Sequence, residues 1–217
     1  MDVPPIRDRI LDAATVRFAA NGYAGTSLRA VAEDVGVRAP SLLHHFATKE
    51  ALRDAVLEAL LARWKDLVPA VLVAATTGRD RFDGVLGLML GFFADEPHRA
   101  RLLMRESLDR PEAVRALVST HLAPWLPLLA DYIELGKKEG RVHPDLDARA
   151  YITEVVLLAV AHFALTSVAS SVGDPDAPGD PNSSDADPTW EARRLAELRR
   201  LCNAALYLPR PKEAPHG

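Results

Sequence analysis

Apolar residues recur at helical spacing along most of the chain, and no stretch alternates as a half-buried strand would. Ile10, Leu11, Ala14 and Phe18 form the first stripe, in a helix that opens with Pro5 in its first turn, where a missing N–H costs nothing. It runs to about Ala20. Asn21-Gly22 stops it, because glycine tolerates the left-handed conformation of a helix C-cap. Thr26 or Ser27 then caps a short second helix whose inward face is Leu28, Val31, Ala32 and Val35. Gly36 makes a turn, and a third helix over about Ala39 to His45 tucks Leu42 and Phe46 inward. Thr48 caps a fourth, in which Leu52, Val56, Ala59 and Leu60 share a face.

The remaining pattern predicts longer helices at 81–94, 97–108, 112–139, 147–171 and 190–208, with another around 66–76. Pro124 and Pro127 fall inside one of these and are expected to kink it or divide it. Residues 172–188 hold Pro, Gly, Ser, Asn and five aspartates with no basic residue, a composition that cannot bury a core and predicts a mobile loop. The expected fold is all-α, with about nine helices.

Residues 27–46 have helix-turn-helix architecture. Two short helices joined by a glycine-bearing turn cross steeply, so the second projects far enough to enter a major groove. With Leu42 and Phe46 facing the core, Arg38, Ser41, His44 and His45 are left outside, and these are groups that can donate to base edges or phosphates. Net charge is −4 over 217 residues, so a nucleic-acid surface has to be local. Residues 1–65 carry nine basic and eight acidic groups, and the rest 17 against 22, which places the acidity in the C-terminal part.

Other chemistry is sparse. Cys202 is the single cysteine, which rules out an intrachain disulfide and any multi-cysteine zinc site. Gly-x-Ser-x-Gly elbows, phosphate-cradling glycine loops and multi-ligand metal spacings are absent from the sequence, so no catalytic residue, metal or cofactor is expected. The N-terminus lacks a basic stretch followed by an apolar one. Uncharged Val155–Val172 carries His162, Thr166 and several serines and fits a buried helix better than a membrane span. A cytoplasmic, non-membrane protein is the expectation.

Gly22-Tyr23-Ala24-Gly25-Thr26-Ser27-Leu28-Arg29-Ala30-Val31-Ala32-Glu33, then Gly36-Val37, then Ser41 to Leu52 resemble the TetR family of repressors. The likeness covers about fifty residues with the spacing kept. Glu96 to Leu103 and Glu139 to Asp147 resemble stretches common in that family. The resemblance implies a helix-turn-helix DNA-binding domain over residues 1–48 and a helical ligand-binding and dimerisation domain over 49–217. It further implies a homodimer on double-stranded DNA with an inverted-repeat operator, and a small-molecule effector of unknown identity. By position it assigns Arg29 to a base contact and Arg38, Ala39, Pro40 and Ser41 to the base-facing start of the reading helix. His45 and Lys49 fall on phosphate contacts, and Thr26 and Ser27 lie where a helix N-terminus meets a phosphate. Leu43 stands where the family usually has a DNA-touching tyrosine, and offers only apolar contact, for example to a thymine methyl.

In the second domain, Met89, Phe92, Phe93, Met104, Trp125, Tyr132 and Phe163 pack a core by default and together can line an apolar cavity, with His121 and His162 as candidate polar contacts. The last helix presents Leu195, Leu198, Leu201, Cys202 and Ala205 along one face. Paired with the apolar 155–171 stretch, it suggests a four-helix interface with a second subunit. Two rivals remain open at this stage: a constitutive DNA-binding protein of the same fold without ligand control, and an all-helical enzyme.

Overall fold

The structure, a computed structural model, describes residues 4–74, 78–173 and 188–208. Within them the chain is helical: α1 (Ile6–Gly25), α2 (Leu28–Val35), α3 (Ala39–His45), α4 (Lys49–Ala62), α5 (Trp64–Ala74), α6 (Gly78–Asp95), α7 (His98–Asp109), α8 (Pro111–His121), α9 (Leu126–Lys138), α10 (Ala148–Ala164), α11 (Thr166–Gly173) and α12 (Pro188–Leu206). Extended pairing among the described residues is a single antiparallel bridge between Val142 and Tyr207, which ties the α9–α10 connection to the end of α12. Most of the expected acidic loop, residues 174–187, lies outside the described residues, as do residues 75 and 76 of the helix expected around 66–76.

The helix starts follow from their caps. Ser27 and Thr48 accept hydrogen bonds from the N–H groups of Ala30 and Ala51 through their side chains, and Asp147 does the same for Ala150 at α10. Of the two residues proposed to cap α2, Ser27 is the one used. Gly36 ends α2 at φ +76, and its N–H donates to the carbonyl of Glu33 while Val37 donates to that of Ala32. That is the left-handed C-cap which sets the angle of α3. Gly22, at φ +70, breaks the regular run of α1 where the sequence places a stop.

Two long runs are divided. Pro124 and Pro127 separate α8 from α9 through a short 3₁₀ turn at Ala123–Trp125. The run expected over 147–171 is interrupted at Leu165. There the Thr166 hydroxyl donates to the carbonyls of His162 and Phe163, so the backbone turns without orphaning those groups. Breaks of this kind turn about nine expected helices into twelve α-helical segments among the described residues.

Ile10, Phe18, Val31, Leu42, Leu52 and Val56 meet in one N-terminal core that also receives Leu102 from α7. A second core joins α4 to α8, α10 and α12 around Leu57, Leu61, Trp64, Leu90, Phe93 and Phe163. A smaller one closes the far end around Ile133, Val142 and Leu206. Helix α4 therefore contributes to both main cores, Leu52 and Val56 to the first and Leu57, Leu60 and Leu61 to the second.

Candidate nucleic-acid interface and apolar cavity

Helix α3 turns Leu42 into the N-terminal core and presents the opposite side. Arg38, Pro40, Ser41, Leu43 and His44 are exposed, with Leu43 at 45%, while Ala39 and His45 are half-buried. Pro40 lies in the first turn, where its missing N–H is harmless, and leaves that turn slim enough to approach a surface closely. The rings of His44 and His45 sit 5.8 Å apart in an edge-on arrangement, too divergent to clasp one ion. No group of three or more metal-ligating side chains occurs among the described residues.

Arg29 projects from the first turn of α2 with its side chain 83% exposed, held lightly by Glu33 one turn on at 2.9 Å. Ser27 spends its side-chain oxygen on the cap. Thr26 is buried, and its hydroxyl donates to the carbonyls of Gly22 and Arg17, so its side chain is not presented outward. What this end of α2 offers an anion is the backbone N–H of Leu28 and Arg29, whose first-turn positions have no intrahelical acceptor. Lys49 opens α4, its Nζ 4.2 Å from the centre of the Tyr23 ring. The Arg53 guanidinium lies 4.6 Å from the same ring, and the Tyr23 hydroxyl donates to Glu50. The hydrogen bond from Tyr23 holds the Glu50 carboxyl below the usual carboxylate range.

A charged cluster that no local pattern announced lies behind this surface. Arg53 donates from Nε to Glu106 at 2.7 Å and reaches Asp109 at 3.5 Å. Arg110 donates to Asp54 at 2.7 Å and approaches the second Glu106 oxygen at 3.4 Å. Glu106 is buried. On the next turn of α4, Glu58 meets the buried His121 of α8 at 2.8 Å. These contacts tie α4, which opens beside the exposed face of α3, to α7 and α8. The pairs that join α4 to these helices are more than fifty positions apart, so no spacing rule could have matched them.

Below the cluster, α5, α6, α9, α10 and the end of α12 enclose an apolar cavity of about 120 Å³. Met89, Trp125 and Tyr132, all expected there, line it together with Trp64, Phe82 and Tyr207. The other expected residues fall elsewhere. Phe93 meets Phe92 edge-on and Phe163 at a tilt in the core, with centroids 5.2 and 6.0 Å apart, and Met104 packs against that core. His121 is turned to Glu58. His162 is half-buried against Phe163, and burial together with the Arg194 charge pulls its pKa down to about 4. Sequence reasoning missed Phe82, Arg141 and Tyr207, which come from three separated segments with no shared motif.

On α12, Leu198 and Cys202 are buried within the same chain, and burial raises the Cys202 thiol pKa. Leu195 is half-buried, whereas Leu201 and Ala205 are exposed. Leu157 and Leu158 of α10 are exposed as well, at 56% and 48%. No helix of the described residues is long and apolar enough to cross a membrane.

Residues 10–56 match the family model for bacterial regulatory proteins of the tetR family. The chain is 28% identical over 148 residues to the HTH-type transcriptional repressor KstR2 of Mycobacterium tuberculosis, spanning 65% of this chain and 71% of that protein. It is 23% identical over 171 residues to the HTH-type transcriptional regulator UidR of Escherichia coli, spanning 77% and 83%. The solved structure of the ketosteroid transcriptional regulator KstR2 of Mycobacterium tuberculosis superposes with a TM-score of 0.70 at 16% identity, over 96% of this chain and 98% of that one.

Proposed function

This chain belongs to the TetR family of bacterial regulatory proteins, and on that premise we propose that it is a dimeric repressor released from its operator by a small, largely apolar effector. The observation that carries the reading is the physical continuity from one end to the other. An exposed reading surface opens at α2–α3, α4 leaves it, and α4 is fastened by buried charges to helices that neighbour an unfilled apolar cavity. A cavity closed by its own side chains would have favoured constitutive binding instead. The relatives are transcription regulators.

Arg29 and the start of α3 (Arg38 to Ser41) read base edges, with Leu43 and His44 alongside. Lys49, His45 and the N-terminus of α2 at Thr26–Ser27 hold phosphates. Leu201 and Ala205 with Leu157 and Leu158 form the dimer face, while Leu195, Leu198 and Cys202 back it from within. In a two-fold dimer the reading helices sit about 34–36 Å apart, or a multiple of that, and so match an inverted repeat. An effector that favours a different α4 position changes operator affinity by roughly 5–150-fold, the usual range of such coupling.

The test is a mobility-shift titration on the DNA upstream of the protein's own gene at two salt concentrations. Arg29→Ala is expected to relax sequence preference, and Lys49→Ala to weaken all DNA alike and flatten the salt dependence. Equal binding by the wild type and both variants would remove these residues from the interface.

A further inference from the structure

We propose that the cavity selects an uncharged effector, a hydrocarbon-rich molecule with a flat ring, and rejects ionised ones. This rests on the reading of the cavity as the effector site. Five aromatic side chains reach it from five different elements: Trp64 of α5, Phe82 of α6, Trp125 of the 3₁₀ turn, Tyr132 of α9 and Tyr207 after α12. Aliphatic residues such as Leu129 and Val155 fill the space between them. Such walls suit a ring, which meets other rings edge-on or offset, and they have little to offer a strongly hydrated group.

Charge is decided at one place. Among the described lining residues Arg141 alone is ionised, and its side chain, 41% exposed, stands at the rim. Its Nε donates to Glu139 at 2.7 Å, and its Nη2 donates to the same oxygen. The cation is therefore compensated by an acid two residues away. A carboxylate entering the cavity has to share the Arg141 cation with Glu139 or be buried without a partner, and an ionised group so buried loses far more hydration than it regains. An ammonium is drawn to aromatic faces, yet among the described residues no carboxylate lines these walls to pair with it, and the Arg141 charge opposes it.

The experiment compares three probes of one shape on the full chain by titration calorimetry: 2-acetylnaphthalene, 2-naphthoate and 2-naphthylmethylammonium. The neutral probe is expected to bind one per chain, at least tenfold tighter than either ion. Glu139→Gln is expected to narrow the gap between acetylnaphthalene and naphthoate at least threefold by strengthening naphthoate. Leu129→Trp, which fills the cavity, is expected to weaken acetylnaphthalene at least tenfold. Should that variant fold poorly, the wild-type ranking and the Glu139→Gln response still decide. Naphthoate or the ammonium binding as tightly as the neutral probe overturns the proposal, as does a ratio unmoved by Glu139→Gln, or no saturable binding by any probe. Adding each probe to the mobility shift separates the two readings. Neutral-selective binding that leaves the DNA complex intact keeps the selectivity and sinks effector control, whereas release by naphthoate alone keeps effector control and sinks the selectivity.

Discussion

Replacing Glu106 by glutamine removes one negative charge from the centre of the cluster that joins α4 to α7 and α8. The Glu106 side chain is 4% exposed, and it faces Arg53 at 2.7 Å and Arg110 at 3.4 Å. Removing one partner of a buried pair costs about 3–5 kcal/mol, because the other charge stays buried without compensation. Two features pull the value here to the low end. Arg53 keeps Asp109 at 3.5 Å, and Arg110 keeps Asp54 at 2.7 Å with its side chain 28% exposed. The expected loss is about 3 kcal/mol, or roughly 6–12 °C in melting temperature for a chain of this length. Glu112→Gln is the control, since its pair with Arg115 is open to solvent on both sides and should cost less than about 1 kcal/mol. Thermal and urea melts of both variants measure the difference. A Glu106→Gln loss no larger than that of Glu112→Gln would refute the idea that this cluster fastens the reading surface to the body. Arg53 Nη2, Arg110 Nε and the second Glu106 oxygen lack hydrogen-bond partners, so the cluster is not a fully satisfied network.

Burial and the Arg194 charge take the His162 pKa from its ordinary 6.5 to about 4, so the folded state refuses a proton that the unfolded chain accepts. Stability from this source is complete above pH 6.5 and falls as pH drops toward 4, and His162→Gln is expected to show a shallower acid loss in melts across that window. Gly36→Ala meets open space but must keep φ near +76, so it should cost about 1 kcal/mol in urea melts and weaken DNA binding by tilting α3. Full DNA affinity in that variant would show that the turn is not what aims the reading helix. A methyl group at Gly136 would come within 2.7 Å of a Val142 methyl, and Val142 lines the cavity. Gly136→Ala is therefore expected to destabilise by about 1–3 kcal/mol and to change acetylnaphthalene affinity, whereas an unshifted melt and isotherm would place the strain elsewhere.

The all-helical class, the exposed face of α3 and the turns around it were legible in the chain because they rest on local rules. Spacing of 3–4 residues fixes which side of α2 and α3 is buried, Ser27 and Thr48 mark starts, and Gly36 supplies a positive φ. Leu42 and Phe46 pointing inward left Arg38, Ser41 and His44 outside by elimination. Pro124 and Pro127 likewise announced the break between α8 and α9. The break at Leu165 was not announced, since it depends on one hydroxyl finding two carbonyls. The cavity and the charged cluster belong wholly to the tertiary structure. Phe82, Arg141 and Tyr207 share no motif and converge only when α6, α9, α10 and α12 pack together. Aromatic residues that looked equally suited to a cavity, Phe92, Phe93 and Phe163, instead pack together in the core through Phe93. Periodicity tells a side chain which face to take, but whether that face meets another side chain or a void depends on helices dozens of residues away, and no local rule carries that information.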